Sequence, residues 1–260
     1  MEYLTLLGLF LLGLAFGSFL NVLIYRLSEK ENILGILKGR SYCPNCKTPI
    51  RWYDNIPLLS YIALRGKCRH CGWKIPLRYP LVELIGGITP VAVYLLFKEE
   101  GWATVVAYTL MVYLLVAISF IDWKSFEVPD TLSLSGIALG LIFSFFRKDI
   151  TPLESLLAAL LGAAIVVILI LLYYRIRGVV PLGLGDAKVL ALIGAFEGFV
   201  GVYCALFLGS LFALLFFLPQ VVRNRSLQFA VPFVPFLSLG AILGLLCRKF
   251  GLLNPLFGGA

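Results

Sequence analysis

Six residues of this 260-residue chain combine residue types and spacing that could do chemistry. Two are aspartates: Asp122 in Ser119-Phe120-Ile121-Asp122-Trp123, and Asp186 in Gly183-Leu184-Gly185-Asp186-Ala187-Lys188. Both stand beside long apolar runs, where an ionisable group at membrane depth costs about 2.5–3.5 kcal/mol on insertion scales. Two carboxyls at one depth on different helices make an aspartic dyad. The ionised member takes a proton from water, and the protonated member polarises the scissile carbonyl. Plainer roles exist. Asp186 follows a glycine-rich loop and precedes an apolar run, so it can also be a helix N-cap, and Asp130 in Pro129-Asp130-Thr131 reads as a cap first. Asp122 sits near a helix C-terminus, where the dipole disfavours a carboxylate, so capping does not account for it. That asymmetry makes Asp186 the expected base and Asp122 the expected acid, within a pair that titrates jointly.

The other four are Cys43, Cys46, Cys68 and Cys71, arranged as two Cys-x-x-Cys knuckles separated by 21 residues. This is the spacing of a tetrahedral four-thiolate zinc site, in which the metal ties together a small domain with a thin core. Two disulfides are the alternative, disfavoured if the segment faces a reducing compartment. His70 is a solvated neighbour, while Cys204 and Cys247 lie singly in apolar segments and read as small packing residues.

The elements that hold these residues are membrane helices. Hydrophobic residues make up 60% of the chain and charged residues 14%, too few charges to cover a water-facing surface. Apolar runs between charge clusters predict an all-α polytopic membrane protein with about eight transmembrane helices. They lie near 3–25, 81–97, 103–121, 131–146, 154–173, 187–197, 200–218 and 231–246, with a turn at Glu197-Gly198 dividing the sixth from the seventh. The first run lacks a basic start, since the first cation is Arg26, and reads as a retained helix rather than a cleaved signal. The domain plan is 1–25 as first helix, 26–80 as a cytoplasmic zinc-binding insert and 81–260 as a transmembrane protease domain.

The net charge of +8 resides in the insert, where 11 Lys and Arg face 3 Asp and Glu between Arg26 and Pro80. A basic segment beside a membrane span marks a cytoplasmic loop and a surface for anionic lipid headgroups. No basic and aromatic interleaving suggests nucleic acid. With the insert inside, 17 of 22 Lys and Arg are cytoplasmic, including Lys124, Arg175, Arg177, Lys188, Arg223 and Arg225. Both aspartates then lie at the cytoplasmic face. A transporter using the aspartates for cation coupling, or an assembly factor docking through the insert, is the rival class. The absence of an internal repeat and the off-centre depth disfavour the transporter.

Several fragments in order resemble the type IV prepilin peptidase family. They are Gly17-Ser18-Phe19-Leu20-Asn21, both cysteine knuckles, Arg78-Tyr79-Pro80-Leu81-Val82-Glu83, Ile121-Asp122, Gly185-Asp186-Ala187-Lys188 and Pro232-Phe233-Val234-Pro235-Phe236. The resemblance implies a membrane aspartyl endopeptidase of the bacterial inner membrane with Asp122 and Asp186 as the catalytic pair. Its implied substrates are type IV prepilins and type II secretion pseudopilins, cut after a short basic leader. It also implies N-methylation of the new N-terminus from S-adenosylmethionine, with Glu83 and the basic insert residues as candidates for that step. No glycine-rich nucleotide fingerprint accompanies them, and the oligomeric state is left open. One departure is Val234, where the family usually has glycine.

Overall fold

The computed structural model describes residues 2–30, 41–178, 183–224 and 231–251. Arg225 and residues 31–40 of the basic segment lie outside the described residues. Among the described residues the chain is helical, with two isolated β-bridges in place of sheet. The helices are α1 (Glu2–Ser28), α2 (Leu59–Ala63), α3 (Arg78–Phe97), α4 (Trp102–Ser125), α5 (Asp130–Ser144), α6 (Pro152–Arg177), α7 (Leu184–Asn224) and α8 (Val234–Lys249). Every expected apolar segment falls on one of them. Among the described residues five helices are long and apolar enough to cross a membrane: α1, α4, α6, α7 and α3 with its 3₁₀ extension to Glu100. The chain divides into two compact units, Met1–Leu95 and Leu96–Ala260.

In the first unit α1 and α3 cross backbone to backbone. A Cβ placed on Gly13 would stand 2.3 Å from the Gly86 carbonyl oxygen, and one on Gly86 would stand 2.6 Å from Gly17 Cα. Small residues at such a crossing let two membrane helices approach closely enough for dispersion to hold them. Gly86→Val is therefore expected to destabilise this unit by at least about 1–3 kcal/mol, the usual cost of overpacking, because the obstacle is backbone. Gly8→Ala, with nothing within 4 Å, is the matched neutral change. Thermal unfolding of the two purified variants compares them, and equal midpoints would refute the contact.

In the second unit, α4 buries a stripe of Thr104, Tyr108, Met111, Leu115 and Ile118, and Asp122 continues it at helical spacing. The first half of α7 is buried on nearly every side. Its Gly194 lies against the Ala158 carbonyl of α6, and its Leu192 fits against Gly136 of α5. α7 breaks at Gly198, whose φ of 68° and ψ of −157° are not helical. This is the turn expected at Glu197-Gly198.

A helix break frees carbonyls that must find donors. Ser155 Oγ donates to Ala195 O (2.6 Å), Arg147 Nη1 to Phe196 O (2.7 Å) and Arg248 Nη1 to Glu197 O (2.9 Å). The two arginines thus cap the first half of α7, a duty that counting charges does not reveal.

Candidate active site and metal centre

Asp122 occupies the last turn of α4. The helix ends at Phe126, which takes a left-handed backbone and donates its N–H to the Asp122 carbonyl at 2.8 Å. The side chain turns inward and is 6% exposed. Its Oδ2 accepts the N–H of Val234, the first residue of α8, at 3.2 Å. Ser119 on α4 and Ser238 on α8 join their hydroxyls at 2.9 Å one turn away. The Pro-Phe-Val-Pro-Phe stretch therefore packs against Asp122. Because the contact uses a backbone N–H, valine serves at this position as glycine would.

Asp186 is the third residue of α7 and 8% exposed. Its Oδ2 accepts the N–H of Gly183 at 3.2 Å, which is half of a capping box. Capping therefore occupies one oxygen of Asp186 without removing the residue from the site. The residue before it has room only for hydrogen, since a Cβ on Gly185 would stand 2.7 Å from Val128 Cγ2. Val128 lies in the short link between α4 and α5, three residues past Ser125, so this contact draws the start of α7 toward the end of the helix bearing Asp122. Each of the two carboxyls is buried, on its own helix, and takes one N–H from the start of a helix.

Asp130 departs from the cap reading. The N-cap is Pro129, and Asp130 makes no capping hydrogen bond but pairs with Lys188 Nζ. Proline supplies the extended backbone that precedes the helix, which frees the aspartate for the ion pair. Lys188 thereby points to a partner outside the carboxyl pair.

The four cysteines of the knuckles form no disulfide, and their sulfurs all lie within 4.8 Å of one another. Cys43 and Cys71, from different knuckles, are 3.9 Å apart. Four sulfurs at about 2.3 Å from a tetrahedral zinc would be separated by about 3.8 Å, so the set fits the ion. Both knuckles are built alike. Lys47 N–H reaches Cys43 O at 2.9 Å and Gly72 N–H reaches Cys68 O at 3.0 Å, with positive φ at Lys47 and Gly72. His70 is not a member of the group. Hydrogen bonding to Thr48 holds the Cys46 thiol down at about 6, whereas burial pushes Cys43 up to about 11. Arg69 clamps Asp54 with two bonds (2.9 and 2.6 Å), and the guanidinium holds that carboxyl below its usual range.

The expected metal content is one zinc per chain, lost in Cys68→Ser/Cys71→Ser together with protease resistance of the segment 41–77. Elemental analysis and limited proteolysis check both. Full zinc retention in that double variant would exclude the four-thiolate site.

Glu83 of α3 accepts the Leu58 N–H at 2.8 Å. Leu58 has φ of 61°, and the next N–H closes onto Pro57 O at 2.7 Å, a tight left-handed turn. Reading the sequence for charge misses Asn21, which is buried in α1. Its signals are a polar amide within an apolar run and its place in the Gly17-Ser18-Phe19-Leu20-Asn21 fragment.

The Bacterial Peptidase A24 N-terminal domain family matches residues 11–97, and the Type IV leader peptidase family matches residues 109–218. Curated relatives include the prepilin leader peptidase/N-methyltransferase of Dickeya chrysanthemi, 36% identical over 95% of this chain and 94% of the relative. The protein of that name from Aeromonas salmonicida (strain A449) is 33% identical over 91% of this chain and 89% of the relative. That from Neisseria gonorrhoeae is 33% identical over 84% and 83%. No solved structure matches the chain.

Proposed function

Because this chain belongs to the type IV leader peptidase family, we propose that it removes the short basic leader of type IV prepilins and type II secretion pseudopilins and then methylates the new N-terminus. What supports the peptidase half is two buried carboxyls, Asp122 in the last turn of α4 and Asp186 in the first turn of α7, at helix ends that the contact of Gly185 with Val128 draws toward each other. The two share one proton. The ionised carboxylate removes a proton from a water molecule as its oxygen attacks the scissile carbonyl carbon. The protonated partner donates to the carbonyl oxygen. Collapse of the tetrahedral intermediate returns a proton to the departing amine, giving a free acid and a free N-terminus. The backbone N–H groups of Val234 and Gly183 hold the carboxyls in place throughout.

Residues 26–80 act as the zinc-binding insert, preceded by the helix 1–25 and followed by the protease segment 81–260. Zinc on Cys43, Cys46, Cys68 and Cys71 serves structure, tying two knuckles into one fold. S-adenosylmethionine supplies an electrophilic methyl group when bound. The bias of Lys and Arg toward the insert supports a multi-pass location in the bacterial cytoplasmic membrane, with the basic segment and the aspartates at the cytoplasmic face.

Purified protein incubated with a prepilin tests the reading by mass spectrometry. The expected product lacks the leader and, with S-adenosylmethionine present, carries one added methyl group. An uncleaved prepilin with folded, zinc-loaded protein would refute the peptidase.

A further inference from the structure

One charged contact at the edge of the carboxyl pair has no duty in the mechanism. Asp130 opens α5 and is ion-paired with Lys188 of α7, two residues beyond Asp186. This is not a buried structural bridge, since the Asp130 side chain is 62% exposed and that of Lys188 34%. An ion pair this open to water holds weakly, so a competing cation can displace it.

Contacts of the site fix where Asp130 stands. Val128, two residues earlier, lies against Gly185, the residue before Asp186. Two trans peptide steps carry the chain at most about 8 Å, so Asp130 is beside the segment that presents Asp186. Anions are scarce there. Among the described residues of the second unit, Glu99, Glu100 and Asp149 gather by the start of α4, and Glu154 and Glu197 by the break in α7. Besides Asp122 and Asp186, the end of α4 has Glu127 and Asp130, both exposed. Of these two, Asp130 already seats an alkylammonium, the group that a lysine of a basic leader carries.

We propose that Asp130 is a specificity-determining residue of the peptidase site, taking a cationic side chain of the leader, and that Lys188 holds that place until the leader displaces it. The proposal rests on the prepilin-cleaving reading of the carboxyl pair. A carboxylate accepts either a lysine ammonium or a bidentate arginine, and a leader without a cation does not displace Lys188. Occupancy by Lys188 lowers the apparent affinity by the fraction of Asp130 that is free. The two partners therefore act in opposite directions, unlike the partners of a bridge that only supports the fold.

Steady-state cleavage by the full-length, zinc-loaded protein tests this in neutral detergent, where no anionic lipid attracts the leader. It compares a prepilin with its leader cations intact and one with them changed to glutamine. Asp130→Asn is expected to raise KM for the basic leader about fivefold and to leave KM for the glutamine leader as in wild type. Asp130→Glu, which keeps the carboxylate, should retain the wild-type preference. Lys188→Met is expected to lower KM for the basic leader about two- to fivefold, a gain that vanishes in the Asp130→Asn background. Added salt should raise KM for the basic leader in wild type but not in Asp130→Asn. Glu99→Gln, an exposed acid before the start of α4, is the neutral control. Loss in both single variants with both leaders would make the pair a structural bridge and overturn the proposal. So would an unchanged KM in Asp130→Asn, or a leader preference lost in Glu127→Gln instead. Wild-type protein that cleaves neither prepilin refutes the peptidase reading and the proposal with it, whereas wild-type cleavage with silent Asp130 and Lys188 variants refutes the proposal alone.

Discussion

Asp186→Asn and Asp122→Asn are each expected to slow prepilin cleavage by on the order of 10³–10⁴-fold, with zinc content and thermal midpoint unchanged. The amide is isosteric, and its oxygen still accepts the N–H of Gly183 at residue 186 or of Val234 at residue 122. The fold contacts survive, while the group that moves a proton is lost. Residual cleavage within tenfold of wild type in either variant would end the two-carboxyl mechanism. The two losses should also be of similar size. Reading the dipoles along the chain makes Asp122 the acid, because it ends α4. The start of α8 meets the same carboxyl and offsets that field, so both aspartates face a helix N-terminus. The acid and base roles therefore belong to the pair rather than to one residue.

Asp149→Ala is expected to cost about 3–5 kcal/mol, the effect of removing one partner from a buried ion pair. Arg147 has a fully buried side chain and is held to Asp149 at 2.5 Å. Its guanidinium also lies 4.3 Å from the Tyr108 ring centre. Asp149 further accepts Tyr108 OH at 2.6 Å and Thr104 Oγ1 at 3.1 Å. Burial by itself would raise the Asp149 carboxyl, but hydrogen bonding and charge from Arg147 hold it at about 2. A depressed carboxyl contributes stability above its unfolded value of about 3.9, and that stability is lost as pH falls through about 2. Without Asp149, Arg147 stands buried and uncompensated while still capping Phe196 O at the break in α7. Thermal unfolding in detergent measures the loss, with the exposed Lys148→Ala as the neutral neighbour. A loss below about 1 kcal/mol would show that the pair is solvated as a surface bridge is.

Much of this protein follows from local pattern. Run length and hydropathy place the helices, because the backbone in lipid must satisfy its own hydrogen bonds. The two Cys-x-x-Cys turns each set a pair of thiolates within a few residues, and Gly198 can take the left-handed φ that divides α7. Tertiary structure decided what those elements do together. In an apolar helix the face toward lipid and the face toward protein have the same composition, so hydropathy does not reveal which stripe is buried. Hence the stripe from Thr104 to Asp122 and the contact of Gly185 with Val128 were not legible. Nor were the Val234 amide on Asp122, the arginine caps at the α7 break, or the burial of Asn21. Each depends on which helix faces meet, and close contacts such as Gly86 on Gly17 and Gly185 on Val128 set that choice. The sequence by itself determined which residues are available for chemistry, and packing determined which of them meet.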